Sequence, residues 1–138
     1  MKKILLSGAL CLTLAVFAQK SDAPAAAKSA FAKAYPGATN IKWEKEEGAY
    51  EVDFELGGKK MSAVYDAKGV LQESEIAIEP AILPSPVTAY MKEHYKGITV
   101  KAAAKITKAD GSVNYEAAIK GKDVLFDAGG KFIKEAKD

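Results

Sequence analysis

The 138-residue sequence contains no arginine, one cysteine, one histidine and one tryptophan. Without the planar guanidinium fork, every positive charge is a lysine ammonium, so an anion would be held by point charge and not by bidentate hydrogen bonds. The cysteine, Cys11, lies inside the apolar run from Ile4 to Phe17, with Leu10 before it and Leu12 after it. A lipid-anchored leader wants a small residue before its cysteine and no further apolar run behind it, so lipidation is disfavoured. The run follows Lys2 and Lys3 and leads to Val16-Phe17-Ala18, which reads as a secretory signal peptide, residues 1–18, cut near Ala18. It is shorter than the ~20 residues a membrane-spanning helix needs, and no later segment is long or apolar enough.

Cleavage there would remove the only thiol. Disulfides, thiolate nucleophiles and cysteine-ligated zinc are then excluded, and packing alone must stabilise the exported chain. Cleavage would also take Lys2 and Lys3 from the 20 basic residues, leaving 18 against 18 acids, a formally neutral protein with little attraction for nucleic acid. The single histidine, His94, has no second histidine to share a metal, and no serine sits in a nucleophile-elbow pattern. The sequence thus offers no catalytic residue, no metal ligand set and no cofactor signature.

What is present is periodic. Residues 19–26 read as a tether into a helix, PAAAKSAFAKAY, with Ala27, Phe31 and Tyr35 on one face and a stop at Pro36-Gly37. A second helix opens with Ser85 as its N-cap and Pro86 at its first position, with Val87, Met91 and Tyr95 as its stripe and a stop at Gly97. Four strand candidates follow each helix. In the first set Ile41, Trp43, Tyr50, Val52, Phe54 and Leu56 point inward, while Glu44, Glu46, Glu51, Asp53 and Glu55 point outward. In the second set Val100, Ile106, Val113, Tyr115 and Ile119 are expected inward, and Lys101, Lys105, Glu116 and Lys120 outward. The third turn of each set is nearly the same, AVYDAKG from Ala63 and VLFDAGG from Val124, an aspartate and a left-handed glycine closing a hairpin. Calcium coordination does not fit either turn, because the spaced carboxylates and terminal glutamate of a calcium loop are missing.

These signals predict an α+β fold, a tandem repeat of helix plus four-stranded antiparallel meander, with residues 27–79 and 80–138 as the repeats and the helices packed on one sheet face. A unit of that size seldom has a sufficient core without staples, so the two are expected to form one compact unit, with the apolar linker IEPAILPSP between them.

The stretch FAKAYPGATNIKWEKEEGAYEVDFELGGKKMSAVYDAKG, with its weaker second copy, resembles the PepSY-like family of exported bacterial proteins, described as β-lactamase-inhibitor-like. The resemblance covers Ala26 to Asp138. It implies tandem α+β repeats with an open sheet face, the face that grips an enzyme in the β-lactamase inhibitor protein, and in the broader PepSY group a role in restraining peptidases. The second copy departs from the pattern, with Lys96 in place of the proline of Tyr-Pro-Gly and no tryptophan equivalent to Trp43.

The functional expectation is an exported, non-enzymatic module that binds or inhibits an envelope protein or peptide through the open face. The candidate contact residues are Glu44, Glu51, Asp53, Glu55, Glu73, Lys101, Lys105 and Lys120. The alternative is a periplasmic protein that binds a small ligand, a peptide or a cation. The carboxylates are expected on an open face without aromatic walls, hence with no split in their pKa values. From Lys28 to Glu79 there are 7 lysines and 10 acids, and from Pro80 onward 10 lysines and 7 acids, so a dipolar face favouring weak, salt-sensitive self-association is also expected.

Overall fold

The computed structural model describes residues 23–137, so the expected signal peptide lies outside the described residues. The chain divides into two compact units, one ending at Ile76 and the other beginning at Ala77. The element order is α1 (Ala25–Ala34), β1 (Thr39–Glu46), β2 (Ala49–Leu56), β3 (Lys59–Tyr65) and β4 (Leu71–Ile78), then a 3-10 turn at Pro80–Ile82. It continues with α2 (Ser85–His94), β5 (Ala102–Lys108), β6 (Val113–Ile119), β7 (Lys122–Asp127) and β8 (Phe132–Lys137). Within each unit consecutive strands pair antiparallel, giving an α+β fold with eight strands and two α-helices among the described residues.

The alanine-rich segment forms α1 because alanine loses the least free energy on entering a helix. The helix ends where the Tyr35 amide donates to the Phe31 carbonyl at 2.9 Å, just before Pro36, which has no amide to continue it. In α2 the Tyr95 amide does the same to Met91 at 2.9 Å, so the missing proline of the second copy is no obstacle. The N-terminus of α2 differs from expectation by one residue: Pro84 is the N-cap, and Ser85 is already helical and makes no side-chain cap.

Both helices bury the first two residues of the expected stripe, with Tyr35 and Tyr95, just beyond the helices, partly buried. In the first unit Ala27 and Phe31 pack on Val52, Phe54, Ala63 and Tyr65. Phe31 lies edge-on to Trp43 at 5.6 Å and to Phe54 at 4.9 Å, and Tyr35 lies 4.6 Å from Phe54. Such ring pairs contribute roughly 0.5–1.5 kcal/mol each beyond the area they bury. In the second unit Val87 and Met91 pack on Ala117, Ile119, Val124 and Phe126. Here the helix ring is Tyr90, which stacks on Phe132 at 5.2 Å and meets Phe126 edge-on at 5.4 Å.

Two inward expectations are corrected. Ile41 is 48% exposed, because the β1–β2 register slips between Thr39 and Lys42, where Asn40 takes a φ of 53° and turns the strand. Ile106 stands opposite Asn114, whereas its neighbour Lys105 stands opposite Tyr115, so Ile106 lies on the face away from α2. The linker also divides: Leu83 is buried in the second core, with Ile78 packed against that core, while Ile82 is 65% exposed.

The repeated turn explains where the helices sit. Asp66 Oδ1 accepts hydrogen bonds from the amides of Lys68 at 2.8 Å and Val70 at 2.9 Å, and Asp127 Oδ1 accepts from Gly129 and Lys131, both at 2.9 Å. Gly69 and Gly130 close the turns at φ of 82° and 81°. A Cβ on Gly69 would lie 2.6 Å from the Ala26 carbonyl oxygen, and one on Gly130 would lie 2.6 Å from Pro86 Cβ. Each glycine therefore carries two constraints, a left-handed backbone and direct contact with the first turn of its helix.

Gly69→Ala and Gly130→Ala are expected to cost about 2–4 kcal/mol each, from left-handed strain plus helix displacement. Gly57→Ala, with φ of 58° and nothing within 4 Å of its added Cβ, should cost only about 1 kcal/mol in the same urea melts. Tyr65, whose hydroxyl is buried without a hydrogen-bond partner, should behave in the opposite sense. Tyr65→Phe is expected to leave stability unchanged or raise it by up to about 1 kcal/mol, since Phe126 already fills the matching turn position.

Candidate functional site

Side chains directly opposite one another in paired strands share a face. In the first unit the register places Glu44 opposite Glu51, Glu51 opposite Val64, and Val64 opposite Glu73. The adjacent row runs Lys42, Asp53, Ser62, Glu75. Since Trp43, Val52 and Phe54 pack under α1, these two rows belong to the opposite face. Glu55 lies there too, opposite Lys60. The expected acidic face is therefore assembled, with Glu44, Glu51, Asp53, Glu55 and Glu73 all on it.

Exposure across that face is uneven. Glu44 and Glu46 are exposed and Glu51, Asp53 and Glu55 are half-buried, whereas Ser62, Glu73 and Glu75 are buried. The accessible part of the face is thus its β1–β2 half, which bounds the candidate site and leaves Glu73 beneath it.

Electrostatics in this half depart from expectation. Partial burial, with Asp53, Glu46 and Glu44 nearby, pushes the Glu51 carboxyl from 4.5 up to about 7, although a hydrogen bond with Ser62 works in the other direction. Desolvation followed by the Glu44 charge also raises Asp53, while Lys42 opposes that rise. Lys42 is committed to Glu44, with Nζ 2.6 Å from Oε1, and its ammonium is held above its usual range by that contact. The expectation of unsplit carboxylates is therefore corrected. Alternation concentrates like charges on one face, and the strand pair is buried enough for their repulsion to act.

The second unit does not present the expected basic face. Lys105 lies opposite Tyr115, whose neighbours Ala117 and Ile119 pack under α2, so Lys105 belongs to the helix-bearing side. Lys101, whose amide donates to the Ala118 carbonyl at 2.8 Å, precedes β5, and Lys120 lies in the β6–β7 turn; all three are exposed. The face away from α2 carries Ala104, Ile106, Glu116 and Asp123, all buried, with Leu125 half-buried beside them. Asp123 sits in a row between Ala118 and Ala136 with Oδ2 buried and unpartnered, and burial raises its carboxyl. No sequence signal separated this buried aspartate from the surface acids, because Lys122-Asp123 resembles any solvated pair.

His94 lies on α2 with its side chain half exposed, stacked on Tyr90 at 4.0 Å and 3.9 Å from Glu93. Among the described residues no group of three or more histidine, cysteine or acidic side chains is placed to hold a metal ion. No helix among them is long and apolar enough to cross a membrane.

The comparisons with known proteins agree with this architecture. The family model described as "Putative beta-lactamase-inhibitor-like, PepSY-like" matches residues 15–73 and again residues 61–134. No curated protein matches the chain. A solved BLIP-like protein from Bacteroides fragilis is 28% identical, with a TM-score of 0.65 over 83% of this chain and 86% of that one. A DUF2874 family protein from Bacteroides uniformis shares the fold at 21% identity and a TM-score of 0.69, over 83% of this chain and 89% of that one. A protein from Bacteroides eggerthii described as periplasmic shares it at 16% identity and a TM-score of 0.72, over 85% and 90%. With both matches of the family model together spanning most of its length, the chain belongs to the PepSY-like, beta-lactamase-inhibitor-like family.

Proposed function

We propose that the protein is an exported, non-enzymatic binding module built from two PepSY-like repeats, and that the β1–β2 half of its acidic face takes a lysine-rich surface of an envelope protein or peptide. The observation that carries this reading is the direct opposition of Glu44 and Glu51, with Asp53 in the next row. Like charges facing each other across a strand pair destabilise it, and a cationic partner would relieve that cost. The two family-model matches and the shared turn chemistry support the repeat. Export is supported by the leader-like N-terminus and by the description of a similar fold as periplasmic. The absence of an enzymatic role is argued from the site itself: the raised carboxyl of Glu51 stands beside exposed Glu44 and Glu46, without the water-excluding walls that acid catalysis requires.

Immobilised wild-type protein is expected to retain a basic envelope protein at low salt and release it as salt rises. The variant with Glu51→Lys, Asp53→Lys and Glu55→Lys should retain none. Equal capture by both proteins would rule the acidic face out as the binding surface.

The proton on Glu51 gives a second readout. Its folded pKa of about 7 exceeds the ordinary 4.5, so between those values the folded state holds a proton that the unfolded state has lost. Stability should therefore decline as pH rises from 4.5 to about 7 and level off above. The span corresponds to about 3 kcal/mol at most, and solvent screening reduces the expected change to about 2 kcal/mol. Glu51→Gln should flatten this slope in thermal melts from pH 5 to pH 8. A profile identical to wild type would remove Glu51 as its source.

A further inference from the structure

A second surface, separate from the acidic strands, lies wholly within the second unit. The 3-10 turn at Pro80–Ile82, one side of α2 and the segment from Gly97 to Val100 enclose a groove of about 590 Å³. That volume lies in the range of small-molecule sites, roughly 300–1,000 Å³. Buried Leu83 and Met91, half-exposed Ile98 and partly buried Val100 supply apolar lining. Lys92 and Lys96 lie in the same lining, four residues apart, and both are exposed.

The charges of these lysines are uncommitted. Among the described residues neither forms an ion pair, whereas Lys42 is held by Glu44 and Lys122 by Glu135. The Tyr95 hydroxyl, also of the groove, already donates to Glu135 Oε2 at 2.6 Å, and the Thr88 hydroxyl donates to the Ser85 carbonyl at 2.9 Å. The polar side chains left for a ligand are thus two ammoniums of like sign. Lys92 lies in the last turn of α2 and Lys96 in the turn that follows its Tyr95 cap, so two like charges share the lining, and a bound anion offsets their repulsion. A lysine pair recognises a compact negative head by charge and does not demand the planar match that arginine would. Met91 adds a flexible, polarisable wall that adapts to a chain without fixed shape.

We infer that this groove binds a long-chain carboxylate of the fatty-acid class, its alkyl body against Leu83, Met91, Ile98 and Val100 and its head between Lys92 and Lys96. The lysine pair sets the sign of the head, and the apolar lining requires the tail. The site is independent of the acidic face, so either reading stands if the other fails.

Calorimetric titration of the purified protein with dodecanoate, below its micelle concentration, tests the assignment. One equivalent should bind, and dodecyltrimethylammonium, with the same tail and the opposite head charge, should bind at least tenfold more weakly. The Lys92→Ala, Lys96→Ala variant should lose at least tenfold in affinity, and Ala81→Trp, which fills the groove from an exposed position, should abolish binding. Lys101→Ala, Lys105→Ala should match wild type. Thermal melts of each variant separate loss of the site from loss of the fold; a variant that unfolds is replaced by Lys92→Gln, Lys96→Gln or by Thr88→Trp, with the same outcomes expected. Absence of dodecanoate binding, equal binding of the cationic amphiphile, or binding that survives both the lysine and the groove-filling changes would overturn the inference. So would sedimentation showing a dimer that Ala81→Trp converts to monomer, since a second copy would then be the occupant.

Discussion

The close approach of a hairpin glycine to the first turn of a helix fixes each unit. Neither Gly69 nor Gly130 leaves room for a methyl group between itself and the helix backbone or proline ring beside it. Such contact positions the helix axis to within a fraction of an ångström, because any drift either opens a void or produces a clash. The aspartate three residues earlier makes that glycine's position reproducible, since its carboxylate ties two amides of the same turn. The aromatic before the aspartate, Tyr65 or Phe126, is then held in the core against the helix. Turn, helix placement and core centre are one mechanical assembly, and a short unit without disulfides depends on such coupling.

Placing the helix on one strand face determines the chemistry of the other. With period-two alternation, every apolar side chain committed to the helix leaves a neighbour committed to the far side. In the first unit those neighbours are acids, so folding itself brings Glu44, Glu51 and Asp53 together. The raised Glu51 carboxyl follows from that placement and needs no pocket. Core packing supplies the free energy that keeps the mutually repelling carboxylates in register, each large buried side chain contributing roughly 1.5–3 kcal/mol.

How much of this was legible depended on alternation. AYEVDFEL alternates without interruption, and its two faces read directly as Val52 and Phe54 against Glu51 and Asp53. The helical stripes were equally clear, because Ala27 with Phe31 and Val87 with Met91 keep the spacing of one helix face. KAAAKIT gives no such signal: three alanines fit either face, so its register rests on pairing with β6, and that pairing reverses the expected sides of Lys105 and Ile106. Ile41 misled for a different reason, a bulge at Asn40 that no single residue type announces. The groove was illegible because its lining comes from three separated segments, and the run Ile78–Leu83 reads from sequence only as an apolar linker.

The same order of elements therefore carries two different surfaces. In the first unit the face away from the helix is acidic and its β1–β2 half is accessible. In the second unit the corresponding face carries Ala104, Ile106, Ala118 and Leu125 and holds the buried carboxyl of Asp123, whose Oδ2 has no partner. Burial disfavours ionisation of that carboxyl; Lys134 stands on the same face opposite Leu125, half-buried, while Lys105 lies on the helix-bearing side and Lys92 on α2. Among the described residues Lys92 and Lys96 form no ion pair, whereas Lys122 is held near Tyr95 through Glu135. Lys92 at the end of α2 and Lys96 just beyond it lie beside the apolar walls that the 3-10 turn and the Gly97–Val100 segment supply. The two units thus differ in surface chemistry and share the turn-to-helix contact that builds each of them.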